Sequence, residues 1–170
     1  VSANPTGPFH VGHGRWVALG DATSRVLRHA GYTIFEENYV NDHGVQMDNF
    51  GNSVVVLYLQ KLGHDIELPE NCYAGAYVKD IAQMIIDEDG DTWVDADEQE
   101  RLLNFRERAY AYELSEQKRV LDMFGTHFDL WFSERTLYEK DEEGKSQIDR
   151  ALEAMDAKGF LYEKDDALWV

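Results

Sequence analysis

The chain has 170 residues, with 33 Asp or Glu against 16 Lys or Arg and a formal net charge of −17. That length suits one core with room for an insertion, and 44% hydrophobic with 29% charged residues is a globular composition rather than a disordered one. The charge argues against a broad phosphate-binding surface, because nucleic-acid affinity rests on Lys and Arg; no apolar run approaches the roughly 20 residues that span a bilayer.

Residues 1–4 read as a short strand, followed by a proline-rich turn over 5–8. A helix is expected from about Gly12 to Ala30, with Ala18, Ala22, Val26 and Ala30 forming a small-residue stripe suited to lying close to a sheet. Gly31 stands where a C-cap glycine ends a helix. YTIFEENYV over 32–40 is β-branched and aromatic, hence a strand. Strand, helix and strand with short links predict a βαβ unit with parallel strands.

NDHG at 41–44 breaks the chain, and 45–62 returns to helix. Residues 63–73 are irregular, with a turn at LPEN; 76–87 read as helix, and DEDGDTWVDADE as an exposed acidic loop. A long helix is expected over 98–124, with Leu102, Phe105, Ala109 and Tyr112 on one face, then a strand over 127–132. A helix over 146–158 ends at Gly159, and FLYEKDDALWV reads as a hairpin turning at Asp165 and Asp166.

The single cysteine, Cys72, makes no internal disulfide, which points to a reducing cytoplasm. No basic-then-apolar leader opens the chain. It begins without Met and stops at YEKDDALWV, and so reads as a piece of a longer protein.

Several motifs fail on their own chemistry. GKS at 144–146 lacks the P-loop glycine five residues earlier, where Glu139 stands. Aligning Gly90 to a calcium loop puts Ile85 and Ala96 where acidic ligands are needed. His10 and His13 have metal-ligand spacing but no third ligand in register, so no metal site is assigned.

PTGPFHVGHGR is different. A helix start after a parallel strand presents backbone N–H groups and the positive end of the dipole to an anion. Gly12 leaves room for a ligand lying against the backbone. Histidines can donate to phosphate oxygens as negative charge builds. From H-x-G-H alone, a nucleotide site and a plain loop-to-helix turn both stand.

HVGH after NPTGP resembles the HIGH signature of class I aminoacyl-tRNA synthetases. The string SANPTGPFHVGHGR, with GDA, AGY, NYVNDHGVQ, LPENCYAGAYVKDIA and FDLWFSE, resembles the arginyl-tRNA synthetase family over nearly the whole chain. The resemblance implies an α/β fold: the N-terminal half of a Rossmann-like, HUP-type parallel-sheet nucleotide-binding domain with mostly helical insertions. It places the first part of that domain at 1–62, an insertion at 63–98, a return at 99–132 and the start of a second insertion at 133–170.

It further implies that His10 and His13 are catalytic, and that His10, Gly12, His13 and Gly14 hold ATP. Ser2, Asn4 and Glu134 would hold arginine, a carboxylate being matched to a guanidinium by paired hydrogen bonds. Asn41, Asp42 and Gln46 would form a loop near the active site. The implied reaction activates arginine with ATP, accompanied by Mg2+, and transfers it to tRNA; no tightly bound cofactor and no membrane are expected.

The family's KMSKS loop and anticodon-binding domain are not in this stretch, so the chain alone is expected to be inactive and too acidic for strong tRNA binding. Trp16 is bulky for its place beside the signature. Another kind of H-x-G-H nucleotidyltransferase and a non-catalytic synthetase-like binding module remain alternatives.

Overall fold

The computed structural model describes residues 2–165 and 167–170, so the expectations for Val1 and Asp166 lie outside the described residues. Two compact units divide the chain, one ending at Phe132 and the other spanning Ser133–Val170.

In the first unit, helix α1 spans Val11–His29. Its end is a Schellman motif: the N–H of Gly31 donates to Arg28 O, and that of Tyr32 to Leu27 O, both at 3.0 Å. Gly31 has φ 92°, the left-handed conformation expected of it. Only Val17 of α1 is buried. Ala18, Ala22, Val26 and Ala30 are all exposed, so the stripe expected to lie on a sheet covers none here.

Strand β1 is short, Glu37–Val40, and pairs with β2, Leu130–Ser133. Both Asp129 and Leu130 donate to Glu36 O, and Tyr39 stacks on Phe132 with ring centroids 5.7 Å apart. Like ends therefore meet, and the two strands run parallel. The strand expected over 32–40 forms only where β2 supplies a ladder; Tyr32 and Phe35 ahead of it are exposed.

Residues 2–4 are not a strand. Ser2 reaches Tyr39 O with its hydroxyl, so a side chain takes the place of a backbone ladder at that edge. The expected βαβ unit is thus not formed around α1. The crossover between the two parallel strands runs instead through α2, Val45–Lys61, α3, Ala76–Asp89, and α4, Glu98–Met123.

These three helices make the core. Helix α2 is buried without a break from Ser53 to Leu59, as a helix apolar on all sides must be. Helix α3 contributes Val78, Ile81, Ala82 and Ile85 at helical spacing. Phe105 of α4 meets Tyr58 edge to face, with centroids 5.0 Å apart. Asp97 caps α4 through Oδ1, accepting from Gln99 and Glu100 N–H at 3.0 Å.

Along α4, Arg101, Phe105, Ala109, Glu113, Gln117 and Leu121 are buried, one every four residues. A four-residue step advances about 40° round a helix of 3.6 residues per turn. The buried line therefore winds, leaving the apolar core near Ala109 and ending beneath the loop that precedes α1.

The second unit holds a 3-10 turn, Glu134–Leu137, then α5, Gln147–Asp156, capped by Ser146 and Asp149. Strands β3, Tyr162–Lys164, and β4, Ala167–Trp169, pair antiparallel as a hairpin.

Candidate functional site

The site begins with how the loop enters α1. His10 is the N-cap, with extended backbone. Its Nδ1 accepts from Gly12 N–H at 3.1 Å, and His13 Nδ1 accepts from His10 N–H at 3.2 Å. The pair forms a reciprocal capping box built from imidazoles, where Ser or Thr with Glu is the usual chemistry.

The two rings stack, centroids 3.8 Å apart and 24° from parallel. Phe9 and Trp16 flank His13 at 5.4 and 5.7 Å, so the bulk of Trp16 serves as one wall of the histidine. Burial, and then the neighbouring His10, hold the His13 imidazole below its ordinary pKa.

Each Nδ1 carries an accepting lone pair, so the proton of the neutral ring sits on Nε2. The site thus offers two Nε2–H donors side by side. This revises the expectation of free backbone donors, because the His10 imidazole already accepts at the start of α1. A Cβ on Gly12 would stand 2.9 Å from His10 Cε1, so glycine is required for this fold-back of the ring. Gly14 N–H donates to His10 O at 3.1 Å. Beside His10, an open apolar groove of about 470 Å³ is lined by Phe9, Val11, Val17, Val120 and Phe124 among others.

At the other end of the loop, Asn4 donates through Nδ2 to Oε1 of Gln46, in the first turn of α2. Two residues expected in the site from separate strings therefore touch. Ser2 is exposed and engages the Tyr39 carbonyl. Asp42 is buried and accepts from the Tyr110 hydroxyl at 2.8 Å. Asn41 is half-buried beside it. Glu134 opens the 3-10 turn of the second unit, half-buried.

Sequence reasoning missed the layer beneath. Gln117 Nε2 donates to Asn4 O at 3.1 Å and to Gly7 O at 3.2 Å. Tyr77, on α3, donates to Thr6 O at 2.8 Å. Glu113 lies buried between Tyr110 and Gln117 on the same winding line. The readable signal was polar residues at 113 and 117, continuing the four-residue spacing of Phe105 and Ala109.

A parallel strand pair, a loop opening into a helix start with paired imidazoles, and a buttress of helices agree with a class I synthetase catalytic domain. The chain belongs to the family described as tRNA synthetases class I (R), catalytic domain, whose profile matches residues 1–168.

It is 46% identical over 169 residues to arginine–tRNA ligase of Bacillus licheniformis, covering 99% of this chain and 30% of that one. The arginine–tRNA ligase of Geobacillus thermodenitrificans is 44% identical over 169 residues, 29% of its length. A Campylobacter jejuni protein assigned by name to the arginyl-tRNA synthetases superposes with a TM-score of 0.83 at 31% identity, over 100% of this chain and 36% of that one. The chain thus spans about 30% of the length of the curated relatives it matches.

Proposed function

We propose that this chain is part of an arginine–tRNA ligase and carries one wall of its adenylation site. The observation behind this reading is a single short loop with two functional ends: Asn4 against Gln46, and the stacked pair His10 and His13. Such a loop can meet the amino-acid end of a ligand at one end and its phosphates at the other.

In this reading the fold is the N-terminal half of a Rossmann-like, HUP-type domain, with insertions at 63–98 and from 133 onward. The Nε2–H groups of His10 and His13 donate to ATP phosphate oxygens as an arginine carboxylate oxygen attacks the α-phosphorus, the bond to the β-phosphate breaks, and pyrophosphate leaves arginyl-adenylate behind. Gly12 and Gly14 leave the approach open. Stabilising charge that develops only in the transition state lowers the barrier directly. Ser2 and Asn4 hold the backbone end of arginine, Glu134 its guanidinium, and Asn41, Asp42 and Gln46 shape the adjoining loop.

Magnesium enters only as the ion carried by ATP. Among the described residues no three His, Cys, Asp or Glu side chains cluster as a metal site. Transfer to tRNA needs surface beyond this acidic chain, so the 170 residues alone are expected to be inactive. No helix among the described residues is long and apolar enough to cross a membrane, and the reading places the enzyme in the cytoplasm.

The test is ATP–pyrophosphate exchange by the full-length protein with arginine and tRNA. His13→Ala should lower kcat by about 10²–10³, the usual effect of removing one transition-state donor. Glu134→Ala should raise KM for arginine. Exchange with another amino acid, or none with arginine, overturns the reading.

A further inference from the structure

The buried carboxyl of Glu113 has no part in the chemistry above, yet it sits under the loop that carries that chemistry. Glu113 is 1% exposed, and its Oε2 has no hydrogen-bond partner. Such a group is costly to bury as an anion, since desolvation is not offset by a paired charge.

Its neighbours on α4 both act on site loops. Tyr110, three residues earlier, holds Asp42, while Gln117, four residues later, holds the carbonyls of Asn4 and Gly7. Across from it, Tyr77 of α3 holds the carbonyl of Thr6. The ionisable groups that act on or respond to Glu113 are Tyr77 from α3, and Tyr112 and Glu116 from its own helix. All three are neutral or negative.

We propose that Glu113 is a positioning residue that works as a neutral carboxylic acid. Protonated, it closes the wall behind residues 4–7 and lets Tyr77 and Gln117 hold their carbonyls in place. Ionised, it sets an unpaired charge beside Tyr77, and the loop shifts to let water in. The inference rests on the loop being a substrate wall. Burial, and then the nearby Glu116, raise the Glu113 pKa to about 7, so the change falls in the working range of pH.

The test uses the full-length protein and two readouts. Amide hydrogen exchange of residues 4–10, corrected for intrinsic rate, needs no assumption about function. Protection should fall between pH 6 and 8.5 in the parent protein and stay level in Glu113→Gln, which keeps the shape and removes the charge. A level profile in the parent protein overturns the proposal, even if the variant fails to fold.

The second readout is KM for arginine in ATP–pyrophosphate exchange. At pH 8.5 an acid of pKa 7 keeps its proton in about 3% of molecules, so KM should rise by up to about 30-fold. In Glu113→Gln it should stay flat from pH 6 to 8.5. Exchange that proceeds with the same pH dependence in both proteins overturns the proposal. A pH-dependent loop without arginine-dependent exchange supports the positioning role and overturns the functional reading instead.

Discussion

The imidazoles of His10 and His13 each accept a backbone N–H through Nδ1 while stacked at 3.8 Å. The arrangement needs both rings neutral at Nδ1, because a proton there would face another N–H. His13 is held below its ordinary pKa by burial and by His10.

Above the unfolded value of 6.5, His13 is neutral in both states and the cap is intact. As pH falls below that value and through the folded pKa, the unfolded chain takes up the proton first, and stability is lost. The stability of the parent protein relative to His13→Ala, read from denaturant midpoints, should fall as pH is lowered from 7.5 to 5.

Gly12→Ala sets two effects of similar size against each other. Alanine gains about 0.8–1 kcal/mol over glycine inside a helix. The new Cβ stands 2.9 Å from His10 Cε1 and turns the ring out, losing a cap worth about 1 kcal/mol. Global stability should therefore change by less than about 1 kcal/mol while the His10 ¹⁵N imidazole shifts move. Unmoved shifts would show that the ring does not depend on this glycine.

Tyr110→Phe removes a hydroxyl 2.8 Å from a buried Asp42 oxygen. Depriving a buried carboxylate of one donor costs about 1–3 kcal/mol. Urea unfolding should show that loss, larger than for a surface tyrosine such as Tyr162. An unchanged midpoint would mean that the Asp42 loop is held by its other contacts.

Glu113 gives the opposite pH slope to His13. Its folded pKa is raised to about 7 from an ordinary 4.5. Its contribution is complete below 4.5 and is lost as pH rises to about 7. Glu113→Gln should thus gain on the parent protein between pH 5 and 8, by about 1–3 kcal/mol, since a pKa unit is worth about 1.4 kcal/mol. Equal slopes in the two proteins would place the Glu113 carboxyl in contact with water.

Much of this was legible from sequence, for identifiable reasons. Gly31, Gly44 and Gly63 mark helix boundaries because each adopts positive φ beside one. The spacing His10–Gly12–His13 pointed to a helix start because its parts are local. Residues 2–4 have a strand-like pattern yet form no strand, because strand formation depends on a partner that lies elsewhere in the chain. The small-residue stripe on α1 predicts a face lying against a sheet, but all four residues are exposed, because four-residue spacing marks a common helix face without saying what covers it. Glu113 escaped notice because an acid among 33 acidic residues looks solvated until the winding of α4 is known.

Helix α1 carries the histidines yet is pinned to the rest of its unit by little: Val17, the Arg25 hydrogen bond to Gly125 O at 3.3 Å, and the Arg28–Glu36 ion pair. The core of α2, α3 and α4 does not need it. Helix α1 should therefore open locally at a lower free-energy cost than the core of α2, α3 and α4 unfolds. On slow heating, the stacked imidazoles should part while the ring cluster of Tyr58 and Phe105 is still intact, so the histidine pair would lose its geometry at a temperature where the fold still reads as native.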